Sequence, residues 1–309
     1  MKQIPLVSIL MNCYNGEAYL REAVESVLAQ TYQNWEIIFW DNQSTDKSAE
    51  IFKSYKDPRF KYFYAPVHTD LGGGRANAWK HLSGEFIAIL DVDDVWLPRK
   101  LEKQLPLFDD PEVGVVGSNA LFFNEKTEKS RYAHKQPPTG WVFEKLLIDY
   151  YFILVTLVFR KSIAQKMPRV FDPDFSSIAD LDLIMRLSLI SKLALHPDIL
   201  AKWRVHEKSE TWQRFEAFTE ERERWMEKQL AEKTFSAQQY SKPICQFNNK
   251  NMRAKVFLAL FHGHRGIAFR TLLQTKFNHW QSWVLLFFCF LPFSSAIARY
   301  LYRRKIELA

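Results

Sequence analysis

EFIAILDVDD, from Glu85 to Asp94, is an apolar run closed by three carboxylates in four residues. An apolar run of this length bounded by a polar turn reads as a buried strand, so the acidic turn falls at the strand's carboxyl end. Working outward, the pattern repeats. Leu6–Met11 (LVSILM), Trp35–Trp40 (WEIIFW), Phe60–Ala65 and Val113–Ser118 read as further strands. Between them Tyr19, Leu20, Ala23, Val24, Val27 and Leu28 recur at helical spacing, and helices follow Ser44-Thr45-Asp46, Gly74 and Pro98. Strands alternating with helices predict an α/β protein with a mainly parallel sheet covered by helices on both faces. Leu154–Phe159 is expected as a strand, and Trp141–Tyr150 and Asp180–Ser191 as helices.

The 309 residues are 47% hydrophobic and 25% charged, which fits a folded chain of one catalytic domain and a smaller appendage. Met1-Lys2-Gln3 leads straight into a strand-like run, without the pattern of a secretory signal. Cys13, Cys245 and Cys289 have no CxxC spacing, so reduced thiols in a cytosolic protein are expected. From Lys242 onward there are eleven basic residues and one acidic, leaving the rest of the chain slightly acidic within a total of +7. These charges are interleaved with apolar runs, which favours an anionic membrane surface over nucleic acid as the tail's partner. Lys255–Gln274 is expected as one helix. Trp283–Ile297, almost wholly apolar but interrupted by Pro292, is too short to span a bilayer and is expected to lie in the interface beside Arg303-Arg304-Lys305.

Ligands of open α/β sheets sit at the carboxyl ends of the strands. Carboxylates packed as in Asp91-Val92-Asp93-Asp94 repel one another unless a cation neutralises them, and hard oxygens suit Mg²⁺ or Mn²⁺ bridging to a diphosphate. The alternative is an acidic turn capping the next helix. Asp41, after the second strand, can accept from a base or a ribose hydroxyl, or simply fix the strand-to-helix turn. Tyr14, after the first strand, can stack on a base or pack. The first loop reads Asn12-Cys13-Tyr14-Asn15-Gly16-Glu17 and lacks the GxGxxG of dinucleotide enzymes; Gly72-Gly73-Gly74 lies elsewhere. The loop also lacks the Gly-rich basic pattern of nucleotidyltransferases. His262 and His264 in HGHRG read as a helix-joining turn rather than metal ligands.

SILMNCYNGEAYLREAVESVLAQTYQNWEIIFWDNQSTD, Ser8 to Asp46, resembles the nucleotide-binding half of family 2 glycosyltransferases of the GT-A fold, and GEFIAILDVDDVWLPRKLEKQ resembles the family's DxD segment. The resemblance covers about the first hundred residues. It implies a nucleoside-diphosphate-sugar donor, UDP-linked first, a divalent metal and inversion at the anomeric carbon. Tyr14 and Asp41 would hold the base, and Asp91 and Asp93 the ribose, diphosphate and metal. Arg75 matches a family arginine near the nucleotide, although the family's Arg-Asn pair is split here as Arg75-Ala76-Asn77. An inverting transfer needs a base to deprotonate the acceptor hydroxyl. The family's acidic pair maps onto Ala179-Asp180, so Asp180 takes the base position and the preceding acid is missing. Asp180 also qualifies as an N-cap, and Asp182 is its rival. Trp203-Arg204-Val205-His206 resembles the family's aromatic-Arg-x-His ending, with His206 or Arg204 balancing charge on the leaving diphosphate.

Together these readings divide the chain into a nucleotide-sugar half (1–120), an acceptor half (121–212) and a basic, apolar helical extension (213–309). They predict an enzyme of cell-surface glycan synthesis, lipopolysaccharide or exopolysaccharide in type. Its acceptor would be a saccharide or a lipid-linked glycan, and the protein would sit peripherally on the inner face of the cell membrane. The alternative is a catalytically degenerate nucleotide-sugar-binding subunit of a glycan assembly complex, which the missing acid at Ala179 would favour.

Overall fold

A computed structural model describes residues 4–133, 136–206, 214–275, 280–291 and 293–308, with side chains as far as Tyr302. Met1-Lys2-Gln3, Pro292 and the side chains of Arg303-Arg304-Lys305 therefore lie outside the described part. The chain forms two compact units: 1–143 with 151–204, and 144–150 with 205–309.

The first unit is built on a nine-stranded sheet. β1 (Val7–Cys13) and β2 (Trp35–Asp41) are buried along their whole length, as expected of central strands covered on both faces. With β3 (Phe60–Tyr64) and β4 (Phe86–Ile89) they make a parallel array in the order β3-β2-β1-β4. α1 (Leu20–Leu28) buries Leu20, Ala23, Val24 and Val27, the predicted face. α2 (Ser48–Ser54) and α3 (Leu71–Ala78) complete the crossovers. The carboxyl ends of β1, β2 and β4 share one edge of the sheet.

Beyond β4 short antiparallel strands join a sheet that remains mainly parallel, as expected. β5 (Val95–Trp96) and α4 (Lys100–Gln104) precede β6 (Val113–Phe123), which continues through β7 (Glu128–Ser130) and α5 (Phe143–Ile148) to β8 (Val158–Arg160). β8 lies between β4 and β6 and runs antiparallel to both. It is only three residues long, and its neighbour Leu154–Thr156 is a helical turn rather than part of a strand. A short α6 (Lys161–Ala164) leads to α7 (Ala179–Ile190), and β9 (Lys192–Arg204) follows it. β9 pairs parallel with β6 and antiparallel with β5. Its pairing partners jump from His196 to Ile199, so His196-Pro197-Asp198 interrupts the ladder at an irregularity, where a proline's missing N–H does no harm.

The second unit contains α8 (Phe215–Ala231), α9 (Ser241–Phe261), α10 (Arg265–Leu273), α11 (Trp280–Phe290) and α12 (Ser294–Leu308). The single helix expected over Lys255–Gln274 is instead two. Gly263 takes φ +83°, its N–H donates to Leu260 O (3.0 Å), and His264 N–H donates to Ala259 O (2.7 Å). That is a Schellman stop, which glycine makes without strain. His262 and His264 thus belong to a helix-joining turn. Val256, Leu260, Ala268, Leu272, Cys289 and Ala298 form this unit's core. Trp280, Trp283, Phe287 and Phe290 stand on the opposite, exposed face of α11. Among the described residues, no helix is long and apolar enough to cross a membrane.

Candidate active site

The first two βα loops are laced together. Asn15, at φ +54°, accepts from Thr45 N at 2.8 Å, and its own N–H donates to Ser44 Oγ at 3.1 Å. Gly16 N donates to Ser48 Oγ (2.9 Å) and Glu17 N to Asp46 Oδ2 (2.9 Å). A Cβ on Gly16 would lie 2.7 Å from Val92, so the acidic loop presses against the first loop at the one place that lacks a side chain. Tyr14 is 53% exposed, and its ring centroid lies 4.5 Å from that of His68. His68 Nδ1 is 2.7 Å from Asn42 O, and Asn42 Nδ2 donates to Thr69 O at 2.5 Å, which ties the β3–α3 loop to the end of β2.

Asp41 has no exposed surface. Its Oδ1 accepts from Ser44 N (2.8 Å) and its Oδ2 from the Tyr62 hydroxyl (2.6 Å). Burial and this bond push the Tyr62 phenol up from its ordinary value. Asp41 therefore fixes the turn after β2, and only its remaining lone pairs are left for a ligand.

The acidic loop is held from two sides. Arg75, buried in α3, pairs with Asp91 at 2.7 Å. Gly74 beside it lets the Asn12 side chain approach, since a Cβ there would lie 2.6 Å from Asn12 Oδ1. Asn12 Oδ1 and Arg75 Nε are buried polar atoms without a hydrogen-bond partner among the described residues. Such atoms are rare in folded proteins and mark a place where a ligand's polar groups would be accommodated. From the other side, Arg204 N donates to Asp94 Oδ1 and its Nε to Asp93 O, both at 2.9 Å, while its terminal nitrogen pairs with Glu22. The guanidinium also lies over the rings of Tyr19 and Phe123. Arg204 is thus committed to the loop backbone, which corrects its reading as a partner of the leaving diphosphate. Burial pushes the Asp91 carboxyl up, Arg75 opposes this, and the charge of Asp93 adds to it. Burial, Asp93 and Asp91 push Asp94 well above the usual carboxylate range.

These carboxylates fit a divalent cation in chemistry, because Asp93 repels both neighbours and a positive charge would relieve all three. Among the described residues no cluster of three or more candidate ligands forms. Asp91 and Asp93 would therefore hold a cation together with substrate phosphates, the usual arrangement for Mg²⁺.

α7 brings two further carboxylates, Asp180 and Asp182. Asp180 sits in its first turn, partly exposed; the N-cap position is Ile178, so Asp180 is not the cap. Asp182 is buried and engaged with Arg186, which donates to it at 2.8 Å through Nε and also to Val170 O. That pair removes Asp182 from contention as a base. The segment before α7 is seated on the start of α3: Ser176 Oγ accepts from Leu71 N at 3.2 Å, and a Cβ on Gly72 would lie 2.1 Å from Phe175 O. The start of α3 thus meets the approach to Asp180, and its middle holds Asp91. Ser177 Oγ is buried and without a partner among the described residues. His206 lies in the second unit, so the first unit's geometry does not include it.

Sequence reasoning did not single out Asn12, near the end of β1, or Asn42 and His68 in the loops after β2 and β3. Asn12 could have been noticed as the residue directly following an apolar strand run, and Asn42 as the neighbour of Asp41.

A mixed sheet whose parallel half carries an acidic loop at its carboxyl edge is the GT-A architecture. A crystal structure of Staphylococcus aureus TarS in complex with UDP-GlcNAc superposes with a TM-score of 0.62 at 16% identity, covering 91% of this chain and 79% of that one. A mannosyltransferase of Pyrobaculum calidifontis in complex with GDP-Man and Mn²⁺ gives 0.61 at 17% identity, covering 99% and 84%. Residues 8–166 match the family model described as Glycosyl transferase family 2, and the chain belongs to that family. It is 32% identical over 214 residues to an uncharacterized glycosyltransferase of Rickettsia typhi, covering 67% of this chain and 66% of the relative. It is 34% identical over 142 residues to the Escherichia coli UDP-Glc:alpha-D-GlcNAc-diphosphoundecaprenol beta-1,3-glucosyltransferase WfgD, covering 46% and 55%. The chain thus spans about half to two thirds of these relatives' length.

Proposed function

We propose that this chain is an inverting, metal-dependent glycosyltransferase. It moves a hexosyl or hexosaminyl unit from a nucleoside-diphosphate sugar, UDP the leading nucleotide, to a saccharide or lipid-linked acceptor in cell-surface glycan synthesis. One observation carries the reading: α3 joins the acidic loop, through Arg75 and Asp91, to the segment that opens α7 and bears Asp180. Donor phosphates and acceptor hydroxyl would then be addressed from the middle and the start of one short helix.

Tyr14 stacks on the base, and Asp41 holds the turn beneath it while offering its spare lone pairs to the base edge. Arg75 sets Asp91, and Asp91 with Asp93 holds Mg²⁺ or Mn²⁺, which when bound neutralises the diphosphate. Asp180 accepts the proton of the acceptor hydroxyl. That oxygen forms the new bond to the anomeric carbon as the bond to the diphosphate breaks on the opposite face, and this inverts the centre. The exposed aromatic stripe of α11 and the basic character of the second unit support peripheral attachment to an anionic membrane at its inner face.

The test combines binding with turnover. UDP, GDP, dTDP and CMP are each added with Mn²⁺ or EDTA. One nucleotide at about a hundred times its dissociation constant should stabilise the protein by about 2.7 kcal/mol in Mn²⁺ alone. Asp180→Asn should keep that response and lose turnover by roughly 10²–10⁴-fold. Absence of a response to every nucleotide would refute the donor site. An Asp180→Asn variant as active as the wild type would remove the assigned base. A wild type that binds donor without turning over on any acceptor would point to the degenerate subunit.

A further inference from the structure

The second unit contains a half-open cavity of about 410 Å³, lined by side chains of α8, α9, α11 and α12. Cavities of ~300–1,000 Å³ are the size that takes small ligands. Its wall on α9 is graded. Lys250, Arg253, Phe257 and Leu260 lie at spacings of three and four residues and so share one face. The run is cationic at one end and apolar at the other, over about 15 Å of helix. Leu285 and Phe288 of α11 and Leu301 of α12 continue the apolar part.

At the cationic end one of the two charges is matched by an acidic partner. Lys250 pairs with Asp149. Asp149 also offsets part of the burial that lowers the nearby Arg222 guanidinium to about 10. Arg253 is lowered from its ordinary value by burial, with nothing offsetting it. A partly desolvated cation at the head of an apolar channel is complementary to a phosphate carrying a hydrocarbon tail.

We infer that this cavity binds one hydrocarbon chain ending in a phosphate, with the phosphate at Arg253 and Lys250 and the chain running toward Leu260. The chemistry is shared by isoprenoid phosphates and by anionic phospholipids. This is a site distinct from the sheet edge, and it does not depend on the transfer reaction.

Binding of farnesyl phosphate, farnesol and inorganic phosphate to the full chain is measured by calorimetry, below the micellar range and without detergent. UDP stabilisation is recorded on the same samples, so a failure of the cavity is separated from a failure of the donor site. Farnesyl phosphate should bind at least about tenfold more tightly than farnesol, and inorganic phosphate should bind far more weakly than either. Arg253→Gln should erase the tenfold preference while farnesol binding persists. Ala254→Trp should block both, because Ala254 lines the cavity. Competition by vesicles of phosphatidylglycerol in phosphatidylcholine assigns the natural source: displacement of farnesyl phosphate supports a phospholipid, and no displacement supports an isoprenoid phosphate. Failure of farnesyl phosphate to bind, or an undiminished preference in Arg253→Gln, would overturn the inference. If Ala254→Trp does not fold, the Arg253→Gln arm still decides.

Discussion

Replacing Arg75 with methionine removes a charge from a place that water scarcely reaches. The Arg75 side chain is 2% exposed and its partner Asp91 is 30% exposed, with 2.7 Å between them. Breaking a fully buried pair costs about 3–5 kcal/mol, chiefly because the surviving charge is stranded. Asp91 retains some access to solvent, which reduces the figure to about 2–3 kcal/mol. At about 2 °C per kcal/mol for a domain of this size, Arg75→Met should melt roughly 5 °C lower. If the stranded carboxylate is the cause, neutralising it should repair the loss. Arg75→Met/Asp91→Asn is therefore expected to recover at least half of the deficit, a coupling of roughly 1–2 kcal/mol. The four proteins of the cycle are compared by urea unfolding at pH 7 in EDTA. A double variant no more stable than Arg75→Met would refute the argument, and so would an Arg75→Met protein as stable as the parent.

Three further outcomes are expected. Gly72→Ala places a methyl group 2.1 Å from Phe175 O, so backbone must move; stability should fall by roughly 2 kcal/mol and turnover more than tenfold, with UDP affinity little changed. Unchanged turnover would mean that α3 does not position α7. Burial works to raise the Glu36 carboxyl, but hydrogen bonds from Lys61, Ser8 and Ser83 outweigh it and hold the group below its ordinary value. The unfolded chain therefore takes up the proton first as pH falls, and the Glu36 contribution begins to fall near pH 4.5 and is lost as pH drops through the lower folded value. Glu36→Gln should lose roughly 1–3 kcal/mol at pH 7 and converge with the wild type in acid, as urea midpoints at pH 7 and pH 3.5 would show. Trp283→Ser/Phe287→Ser, at exposed positions of α11, should leave stability within about 0.5 kcal/mol and weaken flotation with phosphatidylglycerol vesicles about a hundredfold. Equal flotation would refute attachment through that stripe.

The nucleotide half was legible because its strands are long, doubly buried and separated by helices whose apolar spacing is unambiguous. The later part was not. Val158–Arg160 is too short to show a period, and Lys192–Arg204 is a strand interrupted by His196-Pro197-Asp198. Its residues alternate only in part between buried and exposed. The split of the predicted Lys255–Gln274 helix turned on Gly263 alone, and a single glycine is a weak stop signal until its φ is known. At the site, Asp91, Asp93 and Asp180 could be picked out because carboxylates at strand ends and helix starts are conspicuous. That Asp182 is spent on Arg186, and that Arg204 grips the acidic loop, depends on packing that a linear pattern does not carry.

Glu36 has a role that reaches back to how the sheet is assembled. It lies directly opposite Ser8 in the β1–β2 ladder, and one of its oxygens gathers the Ser8 hydroxyl together with the backbone and side chain of Ser83, while the other takes Lys61 of β3. Ser8 Oγ in turn accepts from Gly84 N, just ahead of β4. Sliding β1 past β2 by a single residue would turn Ser8 to the opposite face and cost the buried carboxylate its Ser8 donor. The ladder bonds alone would tolerate that slip, because every backbone amide finds an equivalent partner one step along. One acidic side chain therefore serves as a key for strand alignment, set at the end of the sheet remote from the acidic loop.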